Sequence, residues 1–206
     1  MATLKPHCVR TLGVTGGIGS GKSTVCRLLE ALGARVFYAD EVAKRLMVED
    51  PGLRHAIVEA FGPQSYQPDG QLNRAYLAAR VFRDPEALRQ LNALVHPRVL
   101  AAFKQACEQA ARERVPLLVL EAALLFESGA DQLVDHVLVV DAPEGERIRR
   151  VVARDGMAPE QVRARMRHQL PPEVLRQRAD FVIENTGSLE ALRQQVAALY
   201  RQLTAT

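Results

Sequence analysis

Gly16-Gly17-Ile18-Gly19-Ser20-Gly21-Lys22-Ser23-Thr24 is the stretch on which the reading of this chain turns. It satisfies G-x-x-x-x-G-K-[ST] without a mismatch. Glycines let the backbone take positive φ and approach an anion closely. Successive N–H groups then form a concave nest, and a helix starting near Lys22 aims its positive end at the same point. Lys22 can reach the outer phosphates of a nucleotide, and the Ser23 hydroxyl can ligate Mg²⁺. The context is the one the motif requires. An apolar strand, Thr11–Thr15, precedes it, and an amphipathic pattern with Val25, Leu28, Leu29 and Leu32 follows it.

Outward from the loop, apolar runs of strand length alternate with helical patterns. Strands are predicted at Thr11–Thr15, Arg35–Ala39, Leu117–Glu121, His136–Asp141 and Phe181–Glu184. Four of the five are short continuous runs, as in strands covered on both faces of a parallel sheet. Helices are predicted over 22–32, 40–48, 73–81, 85–94, 97–114, 143–154 and 189–203, giving an α/β fold with crossover helices. Two interruptions define the organisation. Residues 45–114 read as helix only, with turns at Asp50-Pro51-Gly52 and Pro68-Asp69-Gly70, and form a helical insertion. Residues 142–178 read as helix broken by Gly156, Pro159, Pro171 and Pro172, with nine arginines against five acidic residues. The predicted core is therefore 1–44, 115–141 and 179–206.

Bulk properties exclude other classes. At ~150 residues per domain, 206 residues make one domain or one core with insertions. A net charge of +3 is too small to indicate a nucleic-acid partner. Cys8, Cys26 and Cys107 form no CxxC pair and read as free thiols of a reducing compartment. Met1–Arg10 lacks the apolar run of a signal peptide, and no stretch reaches the ~20 apolar residues of a membrane span. The expectation is a cytoplasmic enzyme without a membrane partner. No histidine set has zinc-ligand spacing.

The loop alone does not choose a reaction. None of the four lysines (Lys5, Lys22, Lys44, Lys104) follows an Asn, so the guanine-reading N-K-x-D is absent. Asp40 closes the second strand, at the sheet end where ligands gather. There it can accept a hydroxyl proton or orient that hydroxyl for in-line attack; it also suits a helix N-cap. Arg147, Arg150 and Arg154, at i, i+3 and i+7, share a helix face and can stabilise transferring phosphoryl oxygens from a closing lid. Glu121, ending the third strand, can hold the water shell of Mg²⁺. A small-molecule kinase is the reading that uses all of these.

With those residues in place, the chain closely resembles the dephospho-CoA kinase family over about Leu12 to Leu203. The resemblance is carried by the segment Gly13–Thr24, Ala39-Asp40, Leu91-Asn92-Ala93-Leu94-Val95-His96-Pro97, Leu124-Leu125-Phe126-Glu127, Val139-Val140-Asp141, Arg165–Gln169 and Ala179–Asn185. It implies a P-loop NTPase core with a five-stranded parallel sheet, a helical CoA-substrate domain and a helical lid. It also implies transfer of phosphoryl from ATP, with Mg²⁺, to the ribose 3′-hydroxyl of dephospho-CoA. Carried onto matching positions, Asp40 handles the hydroxyl, and His96 and Glu127 lie on the acceptor side. Lid arginines, Arg147 and Arg154 among them, contact ATP together with Gly17 to Thr24, and Asn185 lies near its adenine. The family commonly has Asp where this chain has Tyr38, and Pro where it has Ala123. Another P-loop nucleotide or small-molecule kinase is the alternative enzyme, and a non-catalytic nucleotide-binding regulator the alternative of a different class. The oligomeric state is left open.

Overall fold

The computed structural model describes residues 9–81 and 84–205. Cys8 and the basic N-terminal residues weighed above lie outside these. Five strands form one sheet: β1 (Thr11–Thr15), β2 (Arg35–Tyr38), β3 (Leu118–Glu121), β4 (His136–Asp141) and β5 (Phe181–Glu184). Every pairing is parallel, and the order is β2-β3-β1-β4-β5. The strand carrying the glycine-rich loop is therefore central, with a crossover on each side.

The burial explains the continuous apolar runs. Leu12 and Val14 of β1, Val119 of β3 and Leu138 and Val140 of β4 pack in one cluster with Val25, Cys26 and Leu29 of α1 (Lys22–Ala31). Leu192, Val196, Leu199 and Leu203 of α9 (Leu189–Thr204) join it. The intervening residues Leu118, Leu120, Val137 and Val139 are also buried. Residues of both parities along β1, β3 and most of β4 are thus shielded, so no polar alternation is needed there.

The chain divides into two compact units, one comprising Ala39–Gln105 and the other the residues on either side of it. The inserted unit begins at Ala39 because α2 (Ala39–Glu49) starts directly after β2. The expected boundaries were 45 and 114. The observed second boundary, at Gln105, lies inside a continuous helix, α5 (Pro85–Arg112). Two helices with a His96-Pro97 turn between them were expected there. The missing N–H of Pro97 removes one intrahelical bond, yet the helix continues. Val95, Val99 and Phe103 on either side of the proline are buried along one stripe, and the Arg98 side chain donates to the Leu94 carbonyl at 2.9 Å.

The rest of the inserted unit is α3 (Pro51–Phe61), a short 3-10 turn at Pro63–Ser65 and α4 (Arg74–Val81). Asp50 caps α3, accepting from Leu53 N at 2.9 Å with Pro51 in the first turn. The arginine-rich segment forms α6 (Glu144–Asp155), α7 (Pro159–Met166) and α8 (Pro172–Arg178), with breaks at the residues expected to break it. It belongs to the same compact unit as the sheet.

The cap gives a test of the inserted unit. Asp50→Ala should lower its stability by about 1 kcal/mol, and Asp50→Asn by much less, because the amide oxygen still caps. Urea unfolding of both variants checks this.

Candidate active site

Leaving β1, the chain must turn sharply before α1. Gly16 has φ 143° and Gly19 φ 79°, and a Cβ on either would collide with backbone carbonyls, of Val140 and Arg147 respectively. Inside the loop, Ser20 N donates to Gly17 O at 3.1 Å. Lys22 folds back over the turn, its Nζ donating to Gly16 O at 2.8 Å and Gly17 O at 3.4 Å. Gly21, left-handed at φ 104°, starts α1. The Ser23 side chain is exposed in the first turn of that helix. The loop thus ends in a helix start, with the Lys22 ammonium folded over its carbonyls.

The arginine-rich segment and Asn185 grip this loop at several points. Arg147 is buried, its guanidinium lies against Gly17, and its Nε has no hydrogen-bond partner among the described residues. A guanidinium held in that condition suits an anion that restores its hydrogen bonds. Arg150 donates to the carbonyls of Ser20 at 3.3 Å and Asn185 at 2.9 Å. Asn185, just beyond β5, donates to Ser20 O at 2.8 Å. The side chain of Ile18 packs on Ile148, Val151 and Val162, the small apolar core of the arginine-rich segment. A cavity of about 540 Å³ opens beside these contacts, lined in part by Glu144, Arg147, Arg163, Arg167 and Gln169.

Other assigned residues fall elsewhere. Arg154, one helical turn beyond Arg150, bonds Asp155 at 2.7 and 2.8 Å and is largely exposed. The shared face expected for the three arginines therefore delivers Arg147 and Arg150 to the loop, but not Arg154. Glu127, expected on the acceptor, accepts from Leu170 N at 3.0 Å and so anchors the segment between α7 and α8. Arg150 was noted on the helix face but not assigned, and its spacing from Arg147 was the available signal.

Glu121 is buried at the end of β3, in register with Val14 of β1 and Tyr38 of β2. Among the described residues no group of three or more His, Cys, Asp or Glu could hold a metal. The oxygen donors present, Ser23 and Glu121, suit Mg²⁺, which keeps most of its shell as water and phosphate. Cys26 is packed in the core, and burial together with the Glu121 charge pushes its thiol far up, so it stays neutral. At the two departures from the family pattern, the Tyr38 hydroxyl donates to Glu30 at 3.2 Å. The Ala123 carbonyl accepts from Gln169 at 3.2 Å, a bond that proline there would equally allow.

In the inserted unit, Asp40 is exposed in the first turn of α2. It was expected where the strand Arg35–Ala39 gives way to the helix 40–48; β2 ends at Tyr38 and α2 starts at Ala39, one residue earlier. His96 is half-buried on α5. Burial lowers its pKa below the usual histidine value, and the Asp40 charge opposes that shift. The imidazole is therefore neutral at pH 7, a hydrogen-bonding group with a carboxylate in its electrostatic neighbourhood.

Comparison with known proteins agrees with this geometry. The sequence profile of the dephospho-CoA kinase family matches residues 10–191. The dephospho-CoA kinase of Salinibacter ruber is 58% identical over 94% of this chain and 98% of its own. That of Chlorobaculum tepidum is 48% identical over 97% and 98%. Among solved structures, TT1252 from Thermus thermophilus is 42% identical with a TM-score of 0.80, covering 96% of this chain and 99% of that one. A shikimate kinase from Acinetobacter baumannii, 17% identical with a TM-score of 0.54 over 96% of each chain, shares the fold.

Because Asp40 supports the charged imidazole, Asp40→Asn should lower the His96 pKa further. A ¹³C-edited NMR titration of the histidine ring protons reads this directly; an unchanged or raised value would separate the two residues.

Proposed function

The chain belongs to the dephospho-CoA kinase family, and on that premise we propose that it transfers the γ-phosphoryl group of ATP to the ribose 3′-hydroxyl of dephospho-CoA, giving ADP and coenzyme A. The observation that carries the reading is the loop Gly16–Thr24, shaped as an anion cradle and held by the buried cation Arg147.

In this assignment the phosphate chain is held by the loop amides between Gly17 and Thr24 other than those of Ile18, Ser20 and Thr24, which donate within the protein, and Lys22 neutralises its outer charge. Arg147 meets the charge that spreads over the transferring oxygens. Ser23, with Glu121 acting through water, would hold Mg²⁺, which would supply neutralisation of phosphate charge. Asn185 lies toward the adenine, supported by its bond to Ser20 at the start of α1. Arg154, engaged by Asp155, is left out of the charge-stabilising role.

Asp40 receives or orients the 3′-hydroxyl. In a loose transition state the attacking oxygen loses its proton late, so orientation carries much of the effect. Neutral His96 serves as a hydrogen-bonding partner for the acceptor. It is supported by the electrostatic link to Asp40. Glu127 acts on the acceptor side through the segment it anchors at Leu170. Residues 45–114 serve as the substrate domain and 142–178 as the lid that excludes water.

The test is ADP release with Mg-ATP in the presence of dephospho-CoA, AMP, CMP or shikimate. Turnover with dephospho-CoA alone is expected. Turnover with another acceptor but not with dephospho-CoA would overturn the assignment while leaving a P-loop kinase. Asp40→Asn should cut kcat by about a hundred- to ten-thousand-fold and leave ATP affinity nearly unchanged. A kcat near wild type would remove Asp40 from the mechanism.

A further inference from the structure

The apex of the glycine-rich loop is held by one residue that the assignments above leave unused. Gln169 stands just past α7, and its side chain makes two bonds to remote backbone. Its Oε1 accepts from Ile18 N at 2.8 Å, across 151 residues of sequence. Its Nε2 donates to Ala123 O at 3.2 Å. A carboxamide is the side chain that can accept and donate in this way without adding charge. The next residue, Leu170, is tied in turn to Glu127. The side chain of Ile18 is fixed separately, in the apolar core of the lid.

The amide bond explains what this does. In a planar trans peptide the carbonyl of one residue and the N–H of the next point in opposite directions. Holding Ile18 N–H on Gln169 therefore turns Gly17 C=O to the other side of the loop. There it accepts from Ser20 N at 3.1 Å and from Lys22 Nζ at 3.4 Å. The Gly17–Ile18 peptide plane is thus a lever, with the lid at one end and the loop lysine at the other.

We propose that Gln169 is a positioning residue for phosphoryl transfer: it sets the Gly17–Ile18 peptide plane and, through the Gly17 carbonyl, the place of the Lys22 ammonium. Lid and cation are coupled by this plane, so a lid that lifts away releases Lys22 from its place. The proposal rests on the nucleotide reading of the loop and not on the identity of the acceptor.

The test uses nucleotide affinity, measured by titration with a non-hydrolysable ATP analogue and Mg²⁺ and without acceptor. Gln169→Met keeps the side-chain length and removes both bonds. It should weaken nucleotide binding about tenfold in the wild-type background and less than twofold in Lys22→Ala, because it acts through Lys22. Equal losses in both backgrounds, or no loss in the first, would overturn it. A wild-type protein that binds no nucleotide would instead sink the functional reading itself. Amide hydrogen exchange resolved at Ile18 gives a second measurement. Exchange should be slow in wild type and in Gln169→Glu, which keeps the acceptor oxygen, and at least ten times faster in Gln169→Met. Slow exchange in Gln169→Met would refute the proposal.

Discussion

Between Thr15 and Lys22 the backbone has six residues in which to leave a buried parallel strand, turn its amides toward one point and begin a helix. A phosphate chain offers only charge and acceptor oxygens, so the loop that binds it must be built from N–H groups, a cation and little bulk. That demand accounts for the glycines, whose added carbons would strike the carbonyls of Val140 and Arg147. It also accounts for the central place of β1. Strands on both sides hold the loop's origin rigid, and α1 and α9 pack together beside the core that β1 shares with them.

The arginine-rich segment is built around the same loop. Ile18 enters an apolar cluster of α6 and α7, Arg147 covers Gly17, and Arg150 and Asn185 share the Ser20 carbonyl. Arg147 is one of few charged side chains to be buried here. A buried guanidinium is costly unless an anion meets it. On the proposed assignment a phosphate chain would be that anion.

Much of the sheet was legible because a parallel strand covered on both faces leaves an unbroken apolar run. The first, fourth and fifth strands have the bounds their sequences indicate, and the second and third differ by one end residue each. The loop was legible because its chemistry fixes residue types at fixed spacing. Other features depend on contacts that local sequence does not encode. Pro97 reads as a turn but lies inside α5, because Val95, Val99 and Phe103 share a buried stripe that carries the helix through it. The stripe of arginines on α6 is visible in sequence. That Arg154 turns to its neighbour Asp155 is not, since the last turn of a helix leaves a long side chain several partners. Gln169 is visible in sequence only as the end of the Arg165–Gln169 segment; its partners Ile18 and Ala123 are joined to it only by the fold.

The central claim is the transfer of one phosphoryl group to one hydroxyl, and the product's structure tests it most directly. Protein should be incubated with Mg-ATP and dephospho-CoA, and the product examined by ³¹P NMR with proton coupling to the ribose. The account predicts a new phosphomonoester coupled to the 3′ proton, formed in equal amount to ADP. A phosphate at another position, or inorganic phosphate in place of any monoester, would contradict it.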